Sequence, residues 1–285
     1  MKRSKKILLS IIIPTHNEEQ DIQNCLKSLQ SQLFKDFEII IVDDGSTDKT
    51  IEILKTFPDV KIIKGQHKGP GFSRNLGAKE AKGEILIFVD ADMTFDKSYL
   101  KNLTAPILKS DILGTTHDLE LVENTKDLWS KCWGRARVLK KDAKKVKIFR
   151  AIKKDKFLAL GGFDPKYGYA DDQTLWFKYK LKPEVAENTR CYHKNPETLK
   201  KVYKQSRWIG ASVDHPAITL TPIKFIIPFF LLLTAPAAIP IISVKKCYQF
   251  KNPLLLPAML VFMTIRHFGT IAGISRSVYL NKNFR

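Results

Sequence analysis

Residues 84–92 read Glu-Ile-Leu-Ile-Phe-Val-Asp-Ala-Asp, an apolar run that closes on two carboxylates. A nearly continuous apolar, β-branched run predicts a strand covered on both faces, as strands of parallel sheets are. Two earlier runs, Ile7–Ile13 and Glu38–Val42, have the same character. Between those two, Ile22, Cys25, Leu26 and Leu29 recur at helical spacing within residues 21–32. After the second run, Ile51, Ile53 and Leu54 mark a helix over 46–57, with Ser46 or Thr47 as its cap. Val60–Lys64 predicts a short extra strand, and Gly71–Ala81 a third helix ending before Gly83. This β-α-β-α-β order predicts an α/β, Rossmann-like, mostly parallel sheet flanked by helices. Its ligands should lie beyond the carboxyl ends of the strands.

The chain has 285 residues, and 48 Lys+Arg against 29 Asp+Glu leave a net charge of +19. Hydrophobic content of 44% and charged content of 27% exclude a disordered or fibrous chain. The surplus charge points to a polyanion, an anionic membrane surface or a phosphorylated substrate. Cys25, Cys132, Cys191 and Cys247 are widely separated, so neither a disulfide scaffold nor a structural zinc site is expected, and a reducing compartment fits. Lys2, Arg3, Lys5 and Lys6 before the first apolar run imitate a signal peptide. The run is short, however, and ends in Pro-Thr-His-Asn-Glu, so a first buried strand behind a basic tip is the better reading.

Composition changes twice downstream. Trp129–Arg150 carries nine basic residues and one acid, Asp142; Leu128, Cys132, Ala136 and Leu139 recur there at helical spacing beside Trp129 and Trp133. In isolation such a stretch suits nucleic acid. From His215 onward there is no Asp or Glu, and Phe225–Val244 is a 20-residue stretch without charge. At about 1.5 Å per residue it is long enough to span a bilayer core of roughly 30 Å. Leu254–Ile265 is a second apolar run, extended to Ile274 if Arg266 and His267 are tolerated. With these blocks downstream, the basic segment is read as an interfacial helix on anionic lipid, and no nucleic-acid partner is expected. Pro228, Pro236 and Pro240 suggest kinked or re-entrant helices. Two full spans would place Lys245, Lys246 and Lys251 against the positive-inside tendency, so a re-entrant hairpin is a rival.

Polar clusters fall at the predicted strand ends: Pro14-Thr15-His16-Asn17-Glu18, Asp43-Asp44-Gly45-Ser46-Thr47-Asp48 and Asp90-Ala91-Asp92. A further pair, Asp171-Asp172, follows Gly161-Gly162-Phe163-Asp164. One Asp pair alone reads as a solvated turn or a helix cap; several at successive ends of one sheet read as a site. An Asp-x-Asp pair suits a hard divalent cation, which takes carboxylate oxygens together with substrate phosphates.

The ordered set SIIIPTHNEE, VDDGSTD, RNLG, FVDAD and GGFD…DDQTLW, spread over roughly residues 6–210, resembles the inverting family-two glycosyltransferases with the glycosyltransferase-A fold. The resemblance implies that Pro14, Thr15 and Glu18 line a nucleotide pocket, that Asp44 contacts the base and that Arg74 lies near the nucleotide. It implies that Asp90 and Asp92 hold the diphosphate through Mg²⁺ or Mn²⁺, and that Asp172 is the general base. His193 matches a position where relatives carry a histidine beside the metal; a plain surface histidine is the other reading. Asp171 stands where Glu is usual, and with Gly162 it would belong to the acceptor side. Lys204-Gln205-Ser206-Arg207-Trp208 resembles a Q-x-x-R-W signature with Lys for Gln. Arg207 and Trp208 are then acceptor contacts or, equally, an anchor at the membrane interface.

The implied protein has a catalytic domain over 1–214 and membrane-anchoring helices over 215–285, with the catalytic domain on the cytoplasmic side of the membrane. Its partners would be a UDP- or GDP-sugar donor, a lipid-linked glycan or polyprenyl-phosphate acceptor, and membrane lipids. A nucleotidyltransferase would not call for the GGFD…DD segment. A non-catalytic scaffold would be expected to have lost Asp92 or Asp172, and both are present.

Overall fold

The computed structural model describes residues 8–212 and 226–280. Ile7 and the basic tip, the expected domain boundary at 214/215 and Phe225 lie outside them. The chain divides into two compact units, one of Met1–Val122, Ala136–Pro165 and Asp171–His193, the other of Glu123–Arg135, Lys166–Ala170 and Lys194–Arg285.

The first unit opens with the expected alternation: β1 (Leu9–Thr15), α1 (Ile22–Gln30), β2 (Phe37–Asp43), α2 (Thr50–Leu54), β3 (Val60–Lys64), α3 (Pro70–Glu80) and β4 (Ile85–Phe88). It continues through β5 (Met93–Phe95), α4 (Tyr99–Lys109), β6 (Gly114–Val122), β7 (Ala136–Val138), β8 (Ala151–Lys153), α6 (Lys154–Ala159), α7 (Thr174–Tyr179) and β9 (Glu184–His193); α5 (Leu128–Trp133) belongs to the second unit. The strand order is β3-β2-β1-β4-β8-β6-β9-β5, with β7 on β6. The β1–β4 half is parallel throughout. The other half is mixed: β8 runs antiparallel to β4 and β6, β6 and β9 are parallel, β5 runs antiparallel to β9, and β7 antiparallel to β6.

Strand period two sorts the core into two layers. Leu9, Ile11, Ile13, Ile39, Ile41, Ile85 and Ile87 pack on one face against Ile22, Cys25, Leu26 and Leu29 of α1. Ile12, Ile40, Val42, Leu86 and Phe88 pack on the other against Ala78, Phe157, Phe163 and Leu175. α3 lies close enough to β1 that a Cβ on Gly77 would stand 2.6 Å from Ile12 Cγ2. Gly77→Ala is therefore expected to overpack this contact and destabilise the fold by about 1–3 kcal/mol, read as a lower thermal midpoint by circular dichroism. An unchanged midpoint would show that the helix shifts freely.

Two expectations change. α2 starts at Thr50, not near Ser46: its N-cap position is Lys49, and Asp48 Oδ1 in the preceding turn accepts the Thr50 N–H at 3.0 Å. The helix expected through Leu139 stops at Trp133. Gly134 adopts φ 145°, and Ala136–Val138 instead pairs with β6.

In the second unit, α5, α8 (Leu199–Ala211), α9 (Ile227–Gln249) and α10 (Leu256–Leu280) surround Cys132, Val202, Cys247, Leu255, Met259 and Phe262. α8 and α10 touch backbone to backbone: a Cβ on Gly210 would lie 2.2 Å from the Thr270 carbonyl oxygen. α9 runs unbroken through Pro236 and Pro240, and α10 through Arg266 and His267. Arg266 stacks on Trp133 at 4.6 Å and the His267 ring meets the Leu231 carbonyl at 2.9 Å, which satisfies both polar groups within the unit. Both helices are long and apolar enough to cross a membrane, and only 17% and 22% of their most apolar windows are buried.

Candidate active site

The ends of β1 and β2 lie side by side, Pro14 opposite Val42 and Thr15 opposite Asp43. Pro14 and Thr15 are buried and Glu18 is half-buried, its N–H donating to Thr50 Oγ1 at 2.8 Å. Asp44 is fully buried; its carboxylate accepts the N–H groups of Lys68 (3.1 Å) and Gly69 (2.9 Å). Its carbonyl oxygen meets the Nδ1 atoms of His16 (3.1 Å) and His67 (2.9 Å), whose rings lie 5.0 Å apart. Asp44 thus ties three loops together at the carboxyl edge of the parallel half.

Two arginines organise the next strand end. Arg74 from α3 is buried and bridges two carboxylates, donating from Nη2 to Asp90 at 2.6 Å and from Nη1 to Asp171 at 2.8 Å. Arg150, just before β8, reaches the other Asp90 oxygen at 3.4 Å. Although burial opposes ionisation of Asp90, the two guanidiniums and His193 hold its carboxyl well below the usual range. Gly71, in the first turn of α3, lies against Asp171: a Cβ there would stand 2.7 Å from Asp171 Oδ2. Asp171 is buried on Arg74, whereas its neighbour Asp172 is half-buried. Burial first, and then the Asp171 charge, push the Asp172 carboxyl up to about 7 against the opposing pull of Arg74 and Arg150. A carboxyl poised there takes a proton at neutral pH far more readily than an ordinary aspartate.

Asp92, partly exposed, accepts from His193 Nε2 at 3.0 Å, and His193 Nδ1 meets Glu120 Oε1 at 2.7 Å. His193 is buried, which removes the surface reading. Burial alone would lower its pKa; the facing Asp92 carboxylate outweighs that and raises it to about 9. The donor chemistry fits a divalent cation at Asp92, a carboxylate with solvent access, and His193 would add Nε2 once a cation displaces the proton it holds toward Asp92. Both Asp90 oxygens, by contrast, are engaged by arginines.

The RNLG segment has a mechanical role besides Arg74. Asn75 clamps the backbone of Phe163, accepting its N–H at 2.9 Å and donating to its carbonyl at 2.6 Å. Gly162 beside it has φ 71°, and a Cβ there would stand 2.5 Å from Asn75 Oδ1. Within the second unit, Trp208 meets Tyr169 edge-on at 5.0 Å, and Arg207 is half-buried on α8.

The model of the family described as glycosyl transferase family 2 matches residues 10–158, which carry β1–β8 and the residues around Asp90 and Asp92. The chain belongs to this family. Among its relatives, the poly(ribitol-phosphate) beta-N-acetylglucosaminyltransferase TarS of Staphylococcus aureus (strain Mu50 / ATCC 700699) is 39% identical over 113 residues, 36% of this chain and 20% of that protein. The uncharacterized glycosyltransferase YibD of Escherichia coli (strain K12) is 36% identical over 108 residues, 36% of this chain and 31% of that protein. The chain therefore spans a fifth to a third of the length of these two curated relatives. Of solved structures, the mannosyltransferase PcManGT from Pyrobaculum calidifontis, in complex with GDP-Man and Mn²⁺, superposes with a TM-score of 0.57 at 19% identity, covering 92% of this chain and 86% of that one. Residues 1–349 of S. aureus TarS in complex with UDP superpose with 0.51 at 20% identity, covering 98% and 93%. At these identities the likeness is one of fold, the α/β glycosyltransferase fold with a mixed sheet and two apolar C-terminal helices.

Three residues that the motifs do not single out join the cluster around Asp90 and Asp92, namely Arg150, Glu120 and His117, and Asn75 of the RNLG motif adds a clamp. Arg150 lies between apolar Phe149 and Ala151, but Lys147 and Arg137 have apolar neighbours too, so no local signal set it apart. For His117 and Glu120 the signal was polar residues set into an otherwise strand-like run.

Proposed function

We propose that the chain transfers a sugar from a UDP- or GDP-sugar to a lipid-linked glycan or polyprenyl-phosphate acceptor by single displacement with inversion. The observation that carries this is the Arg74 bridge from Asp90 of the Asp-x-Asp pair, at 2.6 Å, to Asp171, at 2.8 Å, beside Asp172, whose carboxyl is raised to about 7 by burial and the Asp171 charge. In the proposed step the acceptor oxygen bonds to the anomeric carbon, its proton passes to Asp172, and the bond from that carbon to the nucleotide diphosphate breaks on the opposite face. Asp172 as base, with the acceptor oxygen itself as nucleophile, makes this one displacement. Arg74 and Arg150 keep Asp90 charged and in place, and His193 with Asp92 offers the donor set for Mg²⁺ or Mn²⁺. A bound divalent cation would offset the charge of the departing diphosphate.

A relative that is a poly(ribitol-phosphate) beta-N-acetylglucosaminyltransferase and a structural neighbour in complex with GDP-Man and Mn²⁺ agree with a nucleotide-sugar donor and a divalent cation. Residues 1–214 would be the catalytic portion and 215–285 the anchor. Low burial of the two apolar helices supports a bilayer around them, because the core helices of a soluble protein bury their apolar faces. Nucleotide sugars are cytosolic, which favours a cytoplasmic catalytic side.

The test uses the full chain in nanodiscs with a panel of UDP- and GDP-sugars, Mn²⁺ and a polyprenyl-phosphate or lipid-linked glycan. Release of UDP or GDP should depend on acceptor, and NMR of the product should show inverted anomeric configuration. Asp92→Ala should lower turnover by about 100-fold or more. Retained configuration, or turnover that survives Asp92→Ala, would sink the reading.

A further inference from the structure

We propose that Glu120 is a positioning residue that fixes the His193 ring with Nδ1–H on its own carboxylate and Nε2 aimed at Asp92. This rests on the reading of Asp92 and His193 as the cation-holding pair, and it concerns how the pair is set before the cation arrives.

Glu120 lies in β6 and His193 closes β9, the parallel neighbour of β6. An ionised carboxylate only accepts hydrogen bonds, so the 2.7 Å contact between Glu120 Oε1 and His193 Nδ1 assigns the proton to Nδ1. The ring's other nitrogen, Nε2, faces Asp92 at 3.0 Å and by the same argument holds a proton there, which a cation bound at Nε2 would displace while the Nδ1–H stays on Glu120. Glu120 is itself immobilised. Its Oε2 meets His117 Nε2 at 2.9 Å and Arg150 at 3.7 Å, and Arg137 stands 3.9 Å from Oε1. Glu120, His117, His193 and Arg150 are all buried, so water does not compete for these bonds.

The backbone is shaped to permit this. In a regular strand, residues three apart point to opposite faces, yet His117 and Glu120 meet. Between their paired positions β6 advances two residues, His117 to Leu119, while β9 advances four, Ala186 to Arg190. The Asp118 carboxylate holds the β9 surplus by accepting the N–H groups of Asn188 and Thr189, each at 3.0 Å. Bulges of this kind re-aim side chains beside active sites.

His117, Glu120 and Cys191 also have potential ligand atoms within 4.8 Å of one another. The His117 ring is already engaged, by Glu120 on Nε2 and by Tyr99 Oη (3.3 Å) and Cys191 Sγ (3.4 Å) on Nδ1, and the Arg150 guanidinium faces the same carboxylate. The cluster therefore reads as the braced far end of the Glu120–His193–Asp92 chain rather than a second metal centre. Partners that orient a metal-side histidine typically contribute 10–100-fold to metal affinity.

The test measures Mn²⁺ affinity by electron paramagnetic resonance on the full chain in nanodiscs, with UDP or GDP present. Glu120→Gln removes the charge and turns an amide NH₂ toward His117 or His193. It is expected to weaken Mn²⁺ binding about 10–100-fold in protein that still melts cooperatively. A merely structural role would lower the melting midpoint and leave the affinity of the folded fraction alone. Mn²⁺ affinity within twofold of wild type in folded Glu120→Gln overturns the proposal. Should that variant not fold, His117→Asn, which loosens the brace and keeps the Glu120 charge, is expected to weaken Mn²⁺ several-fold; equality with wild type overturns the proposal as well. Wild-type protein that retains no Mn²⁺ with either nucleotide overturns this inference together with the cation reading of Asp92, whereas Mn²⁺ binding that is indifferent to Glu120 overturns only this inference.

Discussion

Asp172→Asn is expected to lower turnover by about 10²–10⁴-fold while leaving nucleotide-sugar binding within a few-fold of wild type. The amide keeps the shape of the side chain but cannot accept the acceptor's proton, so the loss falls on the chemical step rather than on donor binding. The same assignment fixes a pH dependence. Burial and the adjacent Asp171 raise the Asp172 carboxyl to about 7, so below that pH it is protonated and cannot act as a base. The kcat/KM of the wild type should therefore rise with pH through about 7 with the slope of one ionisation and then level. Asp172 and Asp171 are adjacent carboxyls, so the midpoint belongs to the pair rather than to Asp172 alone. Asp171→Asn removes the like charge and should move the acidic limb to lower pH. A turnover loss under tenfold, or a profile flat from pH 5 to 8, would remove Asp172 as the base. An acceptor already ionised as a phosphate needs less help from a base, so the loss should be greater with a glycan hydroxyl acceptor than with polyprenyl phosphate.

What the sequence made legible follows the distance over which its signals act. The parallel β1–β4 half is written in local patterns, because each strand is a continuous apolar run and each helix a 3.6-residue stripe. Polar residues mark the strand ends, so Asp44, Asp90 and Asp92 could be placed at one edge before any tertiary contact was known. The mixed half was not written that way. β8 has three residues and inserts between β4 and β6, and no local period announces such a pairing. Glu120 and His193 are 73 residues apart and meet across the parallel β6–β9 pair, in the register that follows the β9 bulge. The stripe through Leu139 misled because Ala136 fits a helical period, whereas Gly134 at positive φ ends the helix and turns the chain into β7. Asp171 was read by its motif position as an acceptor-side group; its bond to Arg74 lay beyond reach because the two are 97 residues apart.

Arg74→Ala is expected to be the most damaging single change to stability in the first unit, at about 3–5 kcal/mol. The guanidinium is buried and is shared by Asp90 and Asp171, so its removal takes one counter-ion from each of two carboxylates at once, with Arg150 remaining on Asp90. Breaking a buried ion pair by deleting one partner leaves a charge without water or counter-ion, which costs more than the pair itself contributed. For a chain of this size the loss corresponds to a drop on the order of 10 °C in thermal midpoint, measured on the full chain in nanodiscs. Arg74→Lys separates charge from geometry. Lysine keeps the positive charge but lacks the planar fork that reaches Asp90 from one nitrogen and Asp171 from the other. It should recover part of the stability and little of the activity. Arg74 also pulls the Asp172 carboxyl downward, so in Arg74→Lys a weaker pull should move the acidic limb of the pH profile above its wild-type position. If Arg74→Ala melts with the wild type, the two aspartates have found other partners, and the arginine would not be the strut that joins the Asp-x-Asp end of the sheet to the base.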